Sequence, residues 1–189
     1  ADPQVTGRLT AIMKKINLED GSEARGQRAV LVSAVPNYLV DFEFNRFKSL
    51  DGVISAPMTI TPTAGRDSST LDVPIFNPLN YLSIPSGATH FRIINAIAVI
   101  SDYAYNPTTK VYEATDPTLD KVSSVAYSDY LPVNALTTVQ SIVATLPGTP
   151  TMTASASVMN AVGIEFYQEV NMNYYIFNQG NAMKIKQIF

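Results

Sequence analysis

The spacing of apolar residues changes once along this chain, and this change constrains the fold more than any other feature. In the first twenty residues, apolar side chains recur at three- and four-residue intervals, which is the period of an α-helix. After about residue 28, short apolar or alternating segments are separated by Pro, Gly, Asn and Asp, which is typical of β-strands joined by turns. Because strands and helices do not alternate, the pattern favours antiparallel sheets. The sequence therefore predicts an all-β fold with one short helix at its N-terminus.

The N-terminal segment is predicted to form an amphipathic helix over residues 4–18. An Asp-Pro pair at residues 2–3 is a typical helix start, and Gly21 is a typical stop. The apolar stripe of this helix consists of Leu9, Ile12, Met13 and Ile16. The stripe has two interpretations, because it fits packing on the chain's own sheet as well as docking on another subunit. We expect residues 1–27 to be a helix with its linker and residues 28–189 to be the β-domain.

Two strands have distinctive patterns. Val40, Phe42 and Phe44 alternate with polar residues, which predicts a half-buried strand over residues 40–45. Residues 90–101 are apolar at both sets of alternate positions, which is typical of a central strand covered on both faces. The other predicted strands cover residues 58–61, 71–73, 110–113, 122–127, 138–146, 161–170, 174–178 and 183–188. This series of short antiparallel strands favours a β-sandwich.

The low charge of the chain bears on its location and its partners. Charged residues make up 15% of the sequence, whereas about 25% is typical of soluble domains. Because the cores of protein interfaces are depleted of charge, this composition fits a subunit that packs against other proteins. It fits equally a secreted protein with a neutral, hydroxyl-rich exterior. Both interpretations favour an extracellular, cell-surface or particle-associated location, and protein partners that include further copies of the chain.

Two classes of partner are disfavoured. The formal net charge is −3, so the sequence lacks the basic footprint that a nucleic-acid binder needs to neutralise phosphates. A membrane-spanning helix needs about 20 consecutive apolar residues, and no such run is present. We therefore expect neither a nucleic-acid partner nor a membrane-spanning helix.

The inventory of reactive side chains is small, since the chain has one histidine and no cysteine. His90 lies at the start of the predicted central strand, and no Gly-x-Ser-x-Gly motif supplies a nucleophile. Zinc would lack its usual nitrogen and sulfur ligands. Asp102, Asp116 and Asp120 are acids near turns, but they do not follow the spacing of a known calcium loop, so calcium stays an open question. We expect no catalytic residue, no metal and no cofactor.

Tyrosine is the most abundant aromatic residue, with ten copies. Tyr103 and Tyr105 lie beside Asp102 and before a turn, and Tyr127 and Tyr130 form a second cluster near a loop. Exposed tyrosines bury a large area at a small cost in entropy, so either cluster could bind a glycan or a protein. Packing in the core or at the rim of the domain is the simpler explanation of both clusters. The absence of tryptophan disfavours a sugar-binding platform.

Three stretches of the chain resemble a family of uncharacterised bacterial proteins. They are residues 41–45, 84–91 and 163–170, and the helix–linker opening over residues 9–28 accompanies them. The resemblance covers most of the chain and implies that further basic sequence precedes Ala1 in the natural product. It implies no activity and no site residues. The first residue is not methionine, so we expect a processed or truncated form.

Three functions follow from these observations. The leading hypothesis is a non-enzymatic structural or interaction module, such as a subunit of a surface, filament or virion-like assembly. The second is a glycan-binding β-sandwich that uses one of the two tyrosine clusters. The third, which the inventory supports least, is a hydrolase that uses His90.

Overall fold

The computed structural model describes residues 2–189 and confirms an all-β fold with antiparallel sheets and a short N-terminal helix. Within this range the strands, numbered in chain order, are β1 Thr59–Pro62, β2 Ser68–Val73, β3 His90–Ser101, β4 Tyr103–Asn106, β5 Val111–Ala114, β6 Ser123–Tyr127, β7 Leu131–Pro132, β8 Gln140–Thr145, β9 Ala156–Val170, β10 Asn173–Ile176 and β11 Ala182–Ile188. The helices are α1 Val5–Glu19, α2 Leu50–Val53 and α3 Pro78–Tyr81, with a 3₁₀ turn at Pro36–Tyr38. Strands therefore account for most of the regular structure.

Two sheets form the body of the domain. The smaller has the strand order β1-β2-β8, and the larger has the order β10-β9-β3-β6, with β11 on β9 and β7 on β3. Strand β3 pairs with β9 over its whole length, from His90 opposite Tyr167 to Ser101 opposite Ala156. The apolar residues of β3 explain this central place, as the sequence predicted. Strands β4 and β5 form a separate hairpin.

The inner faces of the two sheets pack against each other. Leu71 and Ile142 of the smaller sheet lie in one buried cluster with Phe91, Ile164 and Phe166 of the larger sheet. Burial of these side chains is the main source of stability for such a sandwich.

A polar network crosses the interior between the two sheets. The side-chain amide of Asn95 donates to the carbonyls of Ser69 and Ile142 in the opposite sheet. Asn160 donates to the Asn95 side chain at 2.7 Å and accepts from the Ser69 hydroxyl at 2.6 Å. Since buried polar groups without partners are costly, this network favours a single alignment of the two sheets.

The other face of the larger sheet, called the outer face below, is divided into two halves. Toward one end, Ile100 and Met159 belong to a cluster with Ile16 of α1 and with Leu39 and Phe42. We call this end the covered half. At the other end, Val125 and Tyr127 are 51% and 45% exposed, and no element within residues 2–189 packs over them. We call this end the bare half.

The strand predicted over residues 40–45 is not formed, so that prediction was wrong. Asp41 has a left-handed backbone conformation with φ of 68°, which interrupts an extended chain. The segment instead runs irregularly beside β11, where Asp41 donates to Ile185, Phe44 donates to Met183, and Ile185 donates to Phe42. The alternation still identified burial correctly at Phe42, which is 6% exposed.

The short helices α2 and α3 and the short strands β4 and β7 were not predicted. Each short helix depends on a local cap, since Ser49 accepts from the backbone of Gly52 before α2 and Asn77 accepts from Leu79 before α3. Four residues are too few to show a helical period, so the sequence pattern gave no signal for α2 or α3.

Candidate interaction surface

Strand register brings aromatic and charged side chains together on the bare half. Residues directly opposite each other in antiparallel strands point to the same face. His90 lies opposite Tyr167 and Arg92 lies opposite Glu165, while Tyr174 of β10 lies opposite Glu169. Strand β6 adds Tyr127, and the loop after it adds Tyr130. We call the group formed by Tyr127, Tyr130, Tyr167, Tyr174, Arg92 and His90 the tyrosine platform.

Tyr130 is the centre of the tyrosine platform. Its ring stacks on Tyr174 with the ring centroids 3.8 Å apart and the planes within 5° of parallel. The ring of Tyr167 meets it edge to face, with the centroids 5.0 Å apart. Aromatic pairs in these arrangements stabilise each other beyond the area that they bury. Tyr130 nevertheless stays 36% exposed, so part of the ring remains accessible to solvent.

Arg92 connects the two tyrosines that the sequence had paired. Its guanidinium carbon lies 4.4 Å from the ring centroid of Tyr127 and 4.7 Å from that of Tyr130. Its Nε donates to the carbonyl of Ser128 at 2.9 Å. An arginine over an aromatic ring gains a cation–π attraction, and the additional hydrogen bond fixes its orientation. Arg92 is thus held in one orientation by contacts within the domain.

His90 stands at the edge of the platform and contacts Tyr174 edge to face. Its Nδ1 faces the Thr89 hydroxyl at 3.0 Å and the carboxylate of Glu169 at 3.7 Å. A catalytic relay needs the acid on one ring nitrogen and the nucleophile on the other. Here both groups face the same nitrogen, and the Thr89 hydroxyl already accepts a hydrogen bond from the backbone of Glu169. The arrangement fixes the ring and does not form a relay.

Glu165 holds the tyrosine opposite His90 in place. The Tyr167 hydroxyl donates to Oε2 of Glu165 at 2.7 Å. Burial of the Tyr167 ring and this hydrogen bond both raise the pKa of its hydroxyl, so the phenol stays protonated as a donor. The pair fixes one side of the platform.

A cavity of about 480 Å³ opens between the bare half and the covered half. Glu165 and Ile176 line it from the bare half, and Val5 and Phe44 line it from the covered half. Its remaining lining consists of five apolar residues together with Asp2, Asn45, Asn178 and Asn181. The cavity therefore offers a partly apolar recess lined by Glu165 and Asp2, directly beside the tyrosine platform.

The other predicted tyrosine cluster is placed elsewhere and is built into the domain. Asp102 is 4% exposed and accepts hydrogen bonds from the backbone and hydroxyl of Ser33. The Tyr103 hydroxyl donates to Asp120, and this bond, with burial, raises the pKa of Tyr103 to about 12. Tyr105 meets Tyr112 edge to face. These contacts give Asp102 and Tyr103 structural roles within the domain.

The stripe of α1 packs against its own domain, which is the first of the two interpretations given above. Ile16 is 1% exposed, and the other three residues of the stripe, Leu9, Ile12 and Met13, are partly buried in the same cluster. The C-terminal end of α1 is fixed by Asp20, whose side chain accepts from the backbone of Ala29 and of Ser22. Docking of this helix on another subunit stays a prediction.

Four residues of the site were not predicted as binding residues from the sequence: Arg92, Tyr167, Tyr174 and Glu165. A signal existed, because Glu165 and Tyr167 occupy alternate positions of one predicted strand and His90 and Arg92 occupy alternate positions of another. The missing information was the pairing of these strands. Without the register of the two strands, the sequence does not show that side chains so far apart along the chain lie on one surface.

Comparison of the chain with protein-family models, with curated proteins and with solved structures found no match.

Within residues 2–189, no helix combines the length and the apolar character required to cross a membrane. Across that same range, no three His, Asp or Glu side chains converge as ligands for a metal ion. The acids considered for calcium are separately engaged, since Asp116 accepts from Thr153 and Ser155.

Proposed function

We propose that this chain is a non-catalytic binding module, and that it contacts a protein partner through the tyrosine platform as a subunit of a larger assembly. The observation that carries the proposal is Arg92, held between Tyr127 and Tyr130 on a sheet face that the domain leaves bare. Tyrosine and arginine are enriched among the residues that dominate protein-binding energies. Because the platform is ordered in advance, less side-chain entropy is lost when a partner binds.

The geometry favours a protein over a glycan as the partner. A sugar stacks on a free aromatic face, but Tyr130 uses its faces within the domain, against Tyr174 and the guanidinium of Arg92. Tyr127 likewise has Arg92 over its ring. Beside these rings the platform presents hydroxyls and a guanidinium, which suit the mixed polar and apolar contacts of a protein interface.

The adjacent cavity supports the same proposal. Binding hot spots pack side chains of one protein into pockets of the other. A partly apolar recess lined by Glu165 and Asp2 fits a long side chain whose apolar stem is buried and whose end is basic, such as lysine or arginine. The partner would therefore place a basic side chain in the cavity.

The surroundings of His90 support a non-catalytic role. Thr89 and Glu169 both face its Nδ1, which leaves no relay from acid to base to nucleophile. The ring instead packs against Tyr174 at the edge of the platform.

Photo-crosslinking tests this proposal directly, because it captures a protein partner of any identity. A photoreactive phenylalanine analogue at Tyr127 is introduced into the otherwise unchanged chain and into the double variant Arg92→Ala, Tyr130→Ala. The matched control places the same probe at Tyr112, which is 41% exposed on the β4–β5 hairpin. We expect one defined protein to crosslink at residue 127, at least tenfold less in the double variant, and not at residue 112.

Two outcomes would overturn the proposal. Crosslinking at residue 127 that the double variant leaves unchanged would show that the platform does not select the partner. Binding to a glycan array that Arg92→Ala and Tyr130→Ala abolish would replace the protein partner by a sugar.

A further inference from the structure

Strand β10 is an edge strand of the six-stranded sheet, with β9 on one side only. All four of its residues are exposed, including Tyr175 at 59% and Ile176 at 50%. No other segment within residues 2–189 pairs with its second edge. A strand edge in this state presents unpaired backbone donors and acceptors to whatever approaches.

The register shows which backbone groups point outward. Phe177 donates to Phe166, and hydrogen-bonded pairs alternate along an antiparallel ladder, so Tyr175 also bonds to β9. The residues between them, Tyr174 and Ile176, therefore direct their N–H and C=O groups away from β9. The free edge thus offers two donors and two acceptors, which is a pattern that only another extended strand matches fully.

The edge of β10 also lacks the devices that usually protect a sheet edge. Its sequence, Asn-Tyr-Tyr-Ile, contains neither charge nor proline. Strand β11, which lies on the same side of β9, is different. The irregular segment around Phe42 and Phe44 hydrogen-bonds along its outer edge, and Lys184 and Lys186 add charge. Within residues 2–189, only the β10 part of this side is both bare and uncharged.

We propose that β10 pairs with β10 of a second copy of this chain, antiparallel and about a two-fold axis at Tyr175. In this register Tyr174 of each copy lies opposite Ile176 of the other, and the four free backbone groups of each edge are all satisfied. Such an interface is self-complementary, as two-fold symmetry requires. Since β10 carries no charge, the symmetry places no like charges against each other, and the two Tyr175 side chains meet across the axis as an aromatic pair.

This inference is independent of the tyrosine platform. Tyr175 points to the opposite face of the sheet from Tyr174, because successive side chains of a strand alternate. A substitution at Tyr175 can therefore abolish the pairing of two copies and leave the platform intact. Two platforms joined in one continuous sheet would give the assembly two binding faces.

The absence of cysteine provides a direct test of register, because one introduced thiol reports one contact. In the proposed dimer the two Tyr175→Cys residues form a non-hydrogen-bonded pair, with Cα atoms about 4.5 Å apart, which a disulfide can span. The control Met172→Cys lies at the hairpin turn and is 87% exposed. Its two copies would be about 20 Å apart, at about 3.4 Å per residue. We expect mild oxidation to link Tyr175→Cys at least tenfold faster than Met172→Cys.

Sedimentation velocity of the unmodified chain across a wide concentration range provides the second measurement. We expect a monomer–dimer equilibrium whose dissociation constant rises at least tenfold in Tyr175→Lys and is unchanged in Met172→Lys. Thermal melting of each variant checks that the domain remains folded. A chain that is monomeric at every concentration overturns the proposal, and so does a dimer that survives Tyr175→Lys. In either case, photo-crosslinking at residue 127 still tests the platform separately.

Discussion

The two halves of the outer face lie on the same strands but differ in composition. The covered half carries aliphatic side chains from β3 and β9, such as Ile100 and Met159, and α1 packs over them. The bare half carries tyrosine, arginine, histidine and glutamate at the equivalent alternate positions. Aliphatic side chains gain only from burial, whereas tyrosine and arginine tolerate water and also contribute strongly when a partner covers them. The difference indicates that the covered half was closed by folding and that the bare half suits closure by another molecule.

The largest expected effect is on the covered half. Ile16 lies on the buried side of α1 and is 1% exposed. Because Ile16→Ala removes most of this side chain, we expect the free energy of unfolding to fall by about 3 kcal/mol. Leu18→Ala on the same helix is the control, because Leu18 is 56% exposed and should change stability by less than about 0.5 kcal/mol. Urea denaturation of both variants measures the difference. Equal effects would mean that α1 does not depend on this face for its stability.

The next effect is on the bare half, and it should appear in binding more than in folding. Tyr130→Ala removes the ring that stacks on Tyr174 and supports Arg92. We expect the affinity for the crosslinked partner to fall about 30-fold, equivalent to about 2 kcal/mol. Calorimetric titration measures the affinity, and Tyr112→Ala serves as the matched control. If Tyr130→Ala lowered stability as much as Ile16→Ala does, the bare half would be part of the core and the comparison would fail.

The fold was predictable to the extent that burial leaves a pattern in the sequence. The central strand was predicted over residues 90–101, and β3 has the same bounds, because it is apolar on both faces. Residues 40–45 show where this approach fails. Their alternation identified the buried Phe42, but the left-handed conformation of Asp41 is a local feature of the backbone that no period reveals.

The site was predictable only in part. Tyr127 and Tyr130 are close in sequence and lie together on the surface, as the sequence suggested. Tyr174 joins them through the pairing of β10 with β9 and of β9 with β3, which alternation alone does not specify. Asp102 was predicted as a binding residue, but it is buried. Its carboxylate accepts a hydrogen bond from Ser33, which is distant in sequence, and the sequence pattern does not reveal that contact.

A substitution that keeps the charge of Arg92 but changes its geometry should have a smaller effect on partner affinity. Arg92→Lys keeps the positive charge but loses the planar guanidinium and the Nε–H donor to Ser128. We expect partner affinity to fall about fivefold, equivalent to about 1 kcal/mol. Arg46→Lys is the control, because Arg46 lies over Phe47 at an exposed site outside the platform. An affinity unchanged by Arg92→Lys would show that Arg92 contributes only its charge.

The smallest effect concerns the acid sensitivity of the covered half. Hydrogen bonds from Ser22 and from the backbone of Ala29 lower the pKa of Asp20 from 3.8 to about 2. Because the folded state binds the proton less tightly than the unfolded state does, this carboxylate stabilises the fold above about pH 4, and its contribution is lost as the pH falls toward 2. We expect Asp20→Asn to be less stable than the parent near neutral pH and to approach it near pH 2, as urea denaturation at a series of pH values would show. Other carboxylates are shared by both proteins and cancel in the difference. If the difference in unfolding free energy between the two proteins stayed constant with pH, Asp20 would stabilise the end of α1 through its shape and not through its charge. The packing of α1 on the covered half would then be independent of that charge.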